Sequence, residues 1–354
     1  MAIENAPLMK GVYLTGHGDI EKLEYREDIA RPTPSAQQVL IRVSAAGVNN
    51  TDINTRTGWY SKSNESDDAS WSGKALTFPL IQGADVCGVI VEVGAEVDAK
   101  RIGERVLVEP CLTQFNGQPL ERFWYFGSEC HGGFAEYAVI DSAHAYAVNS
   151  SLTDIELASF PCSYSTAENM LTCAQVDHTD TVLISGASGG VGSAAIQLAK
   201  ARGAKVIAIT SESKASLLTE LGADEIVLRD RSLQQTLGDN SVDVVIDLVG
   251  GEQWPQFLNV LKPRGRYAVA GAIGGALVEL DIRTLYLKDL RFYGCTQLET
   301  GVFASLIQRI EKGHIRPLVA KTYPLAEIGL AQEAFGSKQH IGKIVLSVSD
   351  GHTA

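Results

Sequence analysis

TVLISGASGGVGSAAIQLAK, residues 181–200, is the stretch whose reading decides the fold. Thr181-Val182-Leu183-Ile184-Ser185 is a short run of mostly β-branched and aliphatic residues, the pattern of a strand buried on both faces of a parallel sheet. Gly186, Gly189, Gly190 and Gly192 crowd the positions that follow, and from Val191 the apolar residues Val191, Ala194, Ala195, Leu198 and Ala199 recur at helical spacing. The order is strand, glycine turn, helix. A second strand, Val206 to Thr210, follows that helix and completes a βαβ unit of about 30 residues.

Such a turn aims free backbone N–H groups and the positive end of a helix dipole at one point, which suits a pyrophosphate. Ser188, Gly189, Gly190, Val191 and Gly192 are the expected cradle: Gly189 lets the backbone approach the ligand, and Gly192 lets helix and strand pack closely. Ala187 takes the place of the first glycine of the G-x-G-x-x-G pattern, so the context of strand and helix carries the reading, against the alternative of an ordinary βα turn. At the end of the second strand an NAD enzyme usually places a carboxylate for the ribose 2′-OH. Here stand Thr210 and Ser211, with Lys214 close by and Arg229 at the end of the next strand, Glu225 to Leu228. Two hydroxyls and two cations suit a 2′-phosphate, so NADPH is the expected cofactor, with Glu212 arguing the other way. Gly271, after the strand Tyr267 to Ala270, is a further expected cofactor contact.

At 354 residues the chain exceeds a single core and is expected to form two domains. A net charge of -12 argues against a nucleic-acid or anionic-membrane partner. The opening MAIENAPLMK carries Glu4 and no apolar segment, so no signal peptide is expected, and no run reaches the ~18 apolar residues of a membrane span. Six cysteines form no C-x-x-C pair, which fits reduced thiols in a cytoplasmic protein.

Residues 8 to 148 alternate short strands with turn signals: Leu8 to Leu14, Gln38 to Val43, Gly88 to Val93, Arg105 to Val108, Phe134 to Ile140 and Ala145 to Val148. This texture predicts a small barrel or sandwich. Residues 61–74 are polar and read as a surface loop, with Trp59, Tyr60, Trp71 and Phe78 at its edges as possible pocket walls. From Leu152 strands and helices alternate, with Val242 to Leu248 a further buried strand, which means a doubly wound parallel sheet. Helices near Ala304 to Lys312 and Glu327 to Phe335 precede a closing strand, Lys343 to Val348.

The chain resembles the medium-chain dehydrogenase/reductase superfamily over nearly its whole length. The matching pieces are A-G-V-N-N-T-D (46–52), P-L-I-Q-G-A-D-V-C-G-V-I-V-E-V-G (79–94), G-G-F-A-E-Y-A-V (132–139), S-G-A-S-G-G-V-G (185–192), E-L-G-A-D (220–224), D-V-V-I-D-L-V-G-G (243–251) and H-I-G-K-I-V-L (340–346). The resemblance implies a GroES-like β barrel over 1–153 and 297–354 and a Rossmann dinucleotide-binding domain over 154–296. It also implies a homodimer paired through the sheet edge at Leu290 to Cys295. Where zinc alcohol dehydrogenases of this family hold Cys, His and Cys, this chain has Asn49, Ala84 and Cys162, and Asp85 replaces the neighbouring Glu. One thiolate does not make a catalytic zinc site. Cys111, Cys130 and His131 are a remaining, poorly spaced set. The chain therefore looks like the zinc-independent, NADPH-using quinone oxidoreductase branch, whose G-V-N-x-x-D motif is met by Asn49 and Asp52, with Arg56 and Tyr60 downstream. By the same resemblance Lys214 occupies a phosphate-binding position, and Arg229 replaces a Tyr.

Without a metal Lewis acid, hydride transfer needs an acceptor that spreads the developing charge itself, as a quinone or α,β-unsaturated carbonyl does. Asn49 is expected to orient the nicotinamide ribose or the acceptor oxygen, with Tyr60, or else Thr51, donating a proton. Asp52 and Arg56, four apart, fit a helical ion pair, while His131 and His144 show no partner in sequence. Two other readings stay open: a zinc-binding alcohol dehydrogenase with displaced ligands, and a non-catalytic NADPH-binding sensor or structural protein.

Overall fold

The computed structural model describes residues 7–61 and 75–349, so Trp71 and most of the polar loop lie outside the described residues. Thr181–Ile184 is a central strand of a six-stranded sheet, and its residues Val182, Leu183 and Ile184 are wholly buried. Across the sheet the order is Glu225–Leu228, Lys205–Thr210, Thr181–Ile184, Val242–Asp247, Leu261–Val269, Arg291–Gly294, and every pairing is parallel. The order reverses between Thr181–Ile184 and Val242–Asp247, the switch point at whose carboxyl end a ligand crevice forms. The core on one face gathers Leu183, Val245, Trp254, Phe257 and Tyr267.

Asp247 locks the carboxyl ends of three of these strands. Its oxygens accept from Ser185 Oγ at 2.5 Å, from Tyr267 Oη at 2.5 Å, and from the N–H groups of Val249 and Gly250. A fully buried carboxylate is tolerable only with such saturation. Burial, and then the Asp247 charge, drive the Tyr267 phenol well above its ordinary pKa.

The first unit is built on a seven-stranded sheet. Along it run Val319–Pro324, Lys343–Ser347, Gln38–Val48, Asp85–Val93, Arg105–Val108 and Ala145–Ala147, and Tyr137–Asp141 also pairs with Gln38–Val48. The carboxyl-terminal strand Lys343–Ser347 lies antiparallel to Gln38–Val48, with Ile344 opposite Val48. That pairing joins segments about 300 residues apart in sequence and places Lys343 beside the start of the helix Asn50–Thr57.

The compact units are 1–162 with 317–354, and 163–316. Both divisions fall later than the boundaries expected at 153/154 and 296/297. Residues 297–316 stay with the dinucleotide unit because Asn169 bonds Gln297 O at 2.8 Å and Glu299 N at 2.9 Å, and Glu168 takes Arg309 Nε at 3.3 Å. Two further differences concern strands. The strand expected over 267–270 begins at Leu261, with its register interrupted between Leu261 and Arg266. The hairpin Cys111–Phe115 with Gln118–Tyr125 was absent from the expectation, although Asn116-Gly117, both at positive φ, is a recognised turn signal. Among the described residues no helix is long and apolar enough to cross a membrane.

Candidate functional site

In the dinucleotide unit the turn after Thr181–Ile184 has the geometry its glycines require. A Cβ on Gly192 would stand 2.3 Å from Gly186 O and 2.6 Å from Ala187 Cα, both backbone atoms that cannot swing away. Gly189 differs: a Cβ there would meet only Gly186 O, at 3.5 Å, so its bareness leaves room on the open side of the turn. Gly192→Ala is therefore expected to lower Tm and abolish nucleotide binding, while Gly189→Ala retains the fold and weakens binding only; nucleotide fluorescence titration and thermal melts separate the two.

The parallel register brings the expected 2′-phosphate residues together. Thr210 pairs with Leu228, and Arg229 N–H donates to Thr210 O at 2.9 Å. Thr210 Oγ1 is buried and has no partner among the described residues, an orphan a ligand would satisfy. Lys214 lies near enough to Arg229 that burial, and then the Arg229 charge, lower its pKa. Two cations kept side by side suit an anion. Ser211 Oγ lies 3.3 Å from Ser213 Oγ. Gly271 follows Leu261–Val269, where a Cβ would meet Leu248 O at 2.8 Å. Ser188, Gly190 and Val191 lie in the turn and the first residues of its helix. This set fits a nicotinamide dinucleotide.

The first unit holds a buried polar cluster that sequence reasoning did not assemble. Lys343, 2% exposed, directs its ammonium to Asn49 Oδ1 and, at 2.8 Å, to Asp85 Oδ2. Asn49 Nδ2 donates to the same Asp85 oxygen at 2.9 Å, and the other Asp85 oxygen accepts the Cys162 N–H at 2.5 Å. Asn49, expected to present its amide to cofactor or acceptor, thus has both ends of that amide engaged by protein groups. The Cys162 thiol accepts the Tyr125 hydroxyl at 2.8 Å, and burial pushes its pKa up to about 12. Asn49, Ala84 and Cys162 do not make a metal donor set, and no group of three or more His, Cys, Asp or Glu among the described residues does so. Zinc does not fit these residues.

Asp52 and Arg56 do not pair, contrary to expectation. Asp52 turns back to accept the Asn49 N–H at 2.7 Å, while Arg56 donates to Gln332 Oε1 at 2.9 Å and Gly18 O at 2.7 Å. A helix start needs an acceptor for its free N–H groups, and Asp52 supplies it, while the buried Arg56 is satisfied by Gln332 and Gly18. Burial, partly offset by the Asn49 N–H, raises the Asp52 pKa to about 7. In the unfolded chain the group titrates near ~3.9. Its contribution is full below that value and lost as pH rises towards 7, because only the unfolded state has released its proton. Asp52→Asn should flatten this fall of Tm between pH 4 and 7; a slope identical to that of the parent protein would contradict the assignment.

Tyr60 and Thr51 do meet: the phenol donates to Thr51 Oγ1 at 3.1 Å, and burial raises the Tyr60 pKa. Trp59 is half exposed and stands edge-on to Tyr60 at 5.5 Å, and Phe78 packs edge-on against His17 at 5.1 Å. His144 has a partner that sequence did not reveal, Glu109 Oε2 at 2.9 Å, and His131 Nδ1 accepts the Ile81 N–H.

Known proteins resemble both halves of the chain. Residues 35–150 match the alcohol dehydrogenase GroES-like domain family, and residues 190–312 match the zinc-binding dehydrogenase family. The quinone oxidoreductase of Rattus norvegicus is 30% identical over 96% of this chain and 98% of its own. An NAD-dependent alcohol dehydrogenase of Sulfolobus acidocaldarius is 28% identical over 96% of this chain and 100% of its own. A solved structure from Sinorhizobium meliloti 1021, provisionally described as an alcohol dehydrogenase, is 44% identical with a TM-score of 0.90 and covers 98% of each chain.

Proposed function

Because the chain belongs to the medium-chain dehydrogenase/reductase superfamily, in its quinone oxidoreductase-like branch, we propose that it is an NADPH-dependent reductase of quinones or α,β-unsaturated carbonyls that works without zinc. The observation that carries this reading is the Lys343 ammonium held between Asn49 and Asp85, where zinc enzymes of the family gather metal donors. The same chain offers cationic Lys214 and Arg229 beside the orphaned Thr210 hydroxyl for the 2′-phosphate.

NADPH, when bound, supplies the hydride. Lys214 and Arg229 hold its phosphate, and the turn 188–192 holds its pyrophosphate. Thr51 gives a proton to the acceptor oxygen, and Tyr60, donating to Thr51 at 3.1 Å, replaces that proton. Asn49, its amide fixed by Lys343 and Asp85, acts as a positioning residue at the start of the helix that carries Thr51. The charge that develops on the acceptor is spread over its own conjugated system.

The test is a panel of quinones, enones, aldehydes and alcohols with NADPH and NADH, with and without a chelator. Chelator-insensitive turnover of quinones or enones is expected; turnover confined to alcohols and abolished by the chelator would refute the reading. Lys214→Ala with Arg229→Ala should raise the KM for NADPH roughly tenfold or more, the cost of one or two charged contacts, and leave that for NADH nearly unchanged. An equal rise for both cofactors would refute the 2′-phosphate assignment.

The reading includes a homodimer in a reducing, cytoplasmic setting. Six free cysteines support the compartment. Ile282, Tyr286 and Leu287 on one short helix, and Phe292 on the edge strand Arg291–Gly294, are exposed apolar side chains in the dinucleotide unit and support a covered face. Light scattering should give twice the chain mass, reduced to one by Leu287→Glu with Tyr286→Lys.

A further inference from the structure

At the amino ends of the last three strands of the parallel sheet lies a cavity of about 290 Å³, lined by Gln175, Asp243, Lys262, Arg264, Arg266 and Arg291. The glycine turn follows the carboxyl end of Thr181–Ile184, which runs parallel to Val242–Asp247, so this cavity opens at the opposite rim of the same sheet. Its volume lies at the lower end of small-molecule sites.

The charge pattern is unusual for a chain of net charge -12. Two of the four cations are committed within the fold: Lys262 holds both oxygens of Asp243 at 2.9 and 2.8 Å, and Arg266 holds Asp180 and the carbonyls of Ala174 and Gln175. The other two, Arg264 and Arg291, have guanidinium groups without a hydrogen bond or ion pair among the described residues. They leave the cavity with an excess of positive charge. Arg264 is held there at φ 67, in the left-handed region a residue with a Cβ enters at a cost, and its N–H is tied to Lys288 O at 2.6 Å. The Pro263-Arg264-Gly265 segment that forms this wall is also where the strand register breaks, between Leu261 and Arg266. The exposed Pro263-Arg264 segment, set between the buried Leu261 and Gly265, thus carries an unpaired guanidinium at the rim of a cavity already walled by cations, with the exposed Arg291 on its other side.

We propose that this cavity is a second ligand site of the dinucleotide unit, taking a small multiply charged anion of the phosphate class on the forked guanidinium groups of Arg264 and Arg291. Planar guanidinium groups bind phosphate oxygens in pairs, which selects them over a lone ammonium for this purpose.

Pyrophosphate titrated calorimetrically tests this, into protein already saturated with whichever of NADPH or NADH it binds, so that the glycine turn is filled. A single saturable site is expected, weakened at least tenfold in Arg264→Ala with Arg291→Ala and unaltered in Lys214→Ala. Arg264→Gly removes the guanidinium and relieves the left-handed backbone, so it should lose affinity while keeping or raising Tm. Absence of saturable heat, or one isotherm shared by parent and double variant, overturns the proposal. Citrate binding as tightly as pyrophosphate overturns the phosphate class. The readout does not involve turnover, so failure here leaves the proposed reductase activity untouched, and the reverse.

Discussion

Lys343→Met is expected to lower the stability of the first unit by about 3–5 kcal/mol, the cost of breaking a buried pair while leaving its carboxylate behind. Lys343 is 2% exposed and Asp85 is fully buried. Removing the ammonium strips Asp85 Oδ2 of a partner at 2.8 Å and frees Asn49 Oδ1 as well. Methionine matches the length of the lysine stem, so little of the loss comes from packing. For a domain of this size each kcal/mol moves Tm by roughly 2–4 °C, so a fall on the order of 10 °C is expected. Adding Asp85→Asn removes the stranded charge and should restore more than half of that fall. A single variant within 2 °C of the parent, or a double variant worse than the single, would show that the ammonium is not held as described.

Thr51→Val should have the largest effect on turnover, lowering kcat on an enone roughly 100-fold, the lower range for loss of a general acid, with KM little changed. Valine keeps the shape of threonine and removes only the hydroxyl. Tyr60→Phe should cost less, about tenfold, because the Thr51 hydroxyl keeps its own proton and loses only the group that replenishes it. Since the two act in series, the double variant should be no slower than Thr51→Val alone. Losses that multiply would mean that each hydroxyl acts separately on the substrate, and a fully active Thr51→Val would remove the relay altogether.

Much of the fold was legible because it rests on local pattern. The strands 225–228 and 105–108 fall where their apolar runs put them, and Gly222, at φ 112, ends a helix as a glycine there should. The residues proposed to hold the cofactor, the turn 188–192 and the hydroxyls and cations at 210–229, lie along consecutive elements of the same sheet, and the register brings Thr210 and Arg229 together. The strand at 261 was not, since Pro263 and Gly265 argue locally against a strand that its neighbour Val242–Asp247 nevertheless pairs with.

The sequence by itself determined the class of fold and the place of the glycine turn, and it put Asn49, Ala84 and Cys162 where zinc relatives hold their ligands, because each depends on residue type at near neighbours. Only the tertiary structure decided that Asp52 turns to Asn49 in place of Arg56, that Tyr60 reaches Thr51, and that Lys343 meets Asn49 across 294 residues of chain. A buried charge is tolerable only beside its counter-charge, and which residues supply that counter-charge is set by how distant strands pair, which no local period encodes.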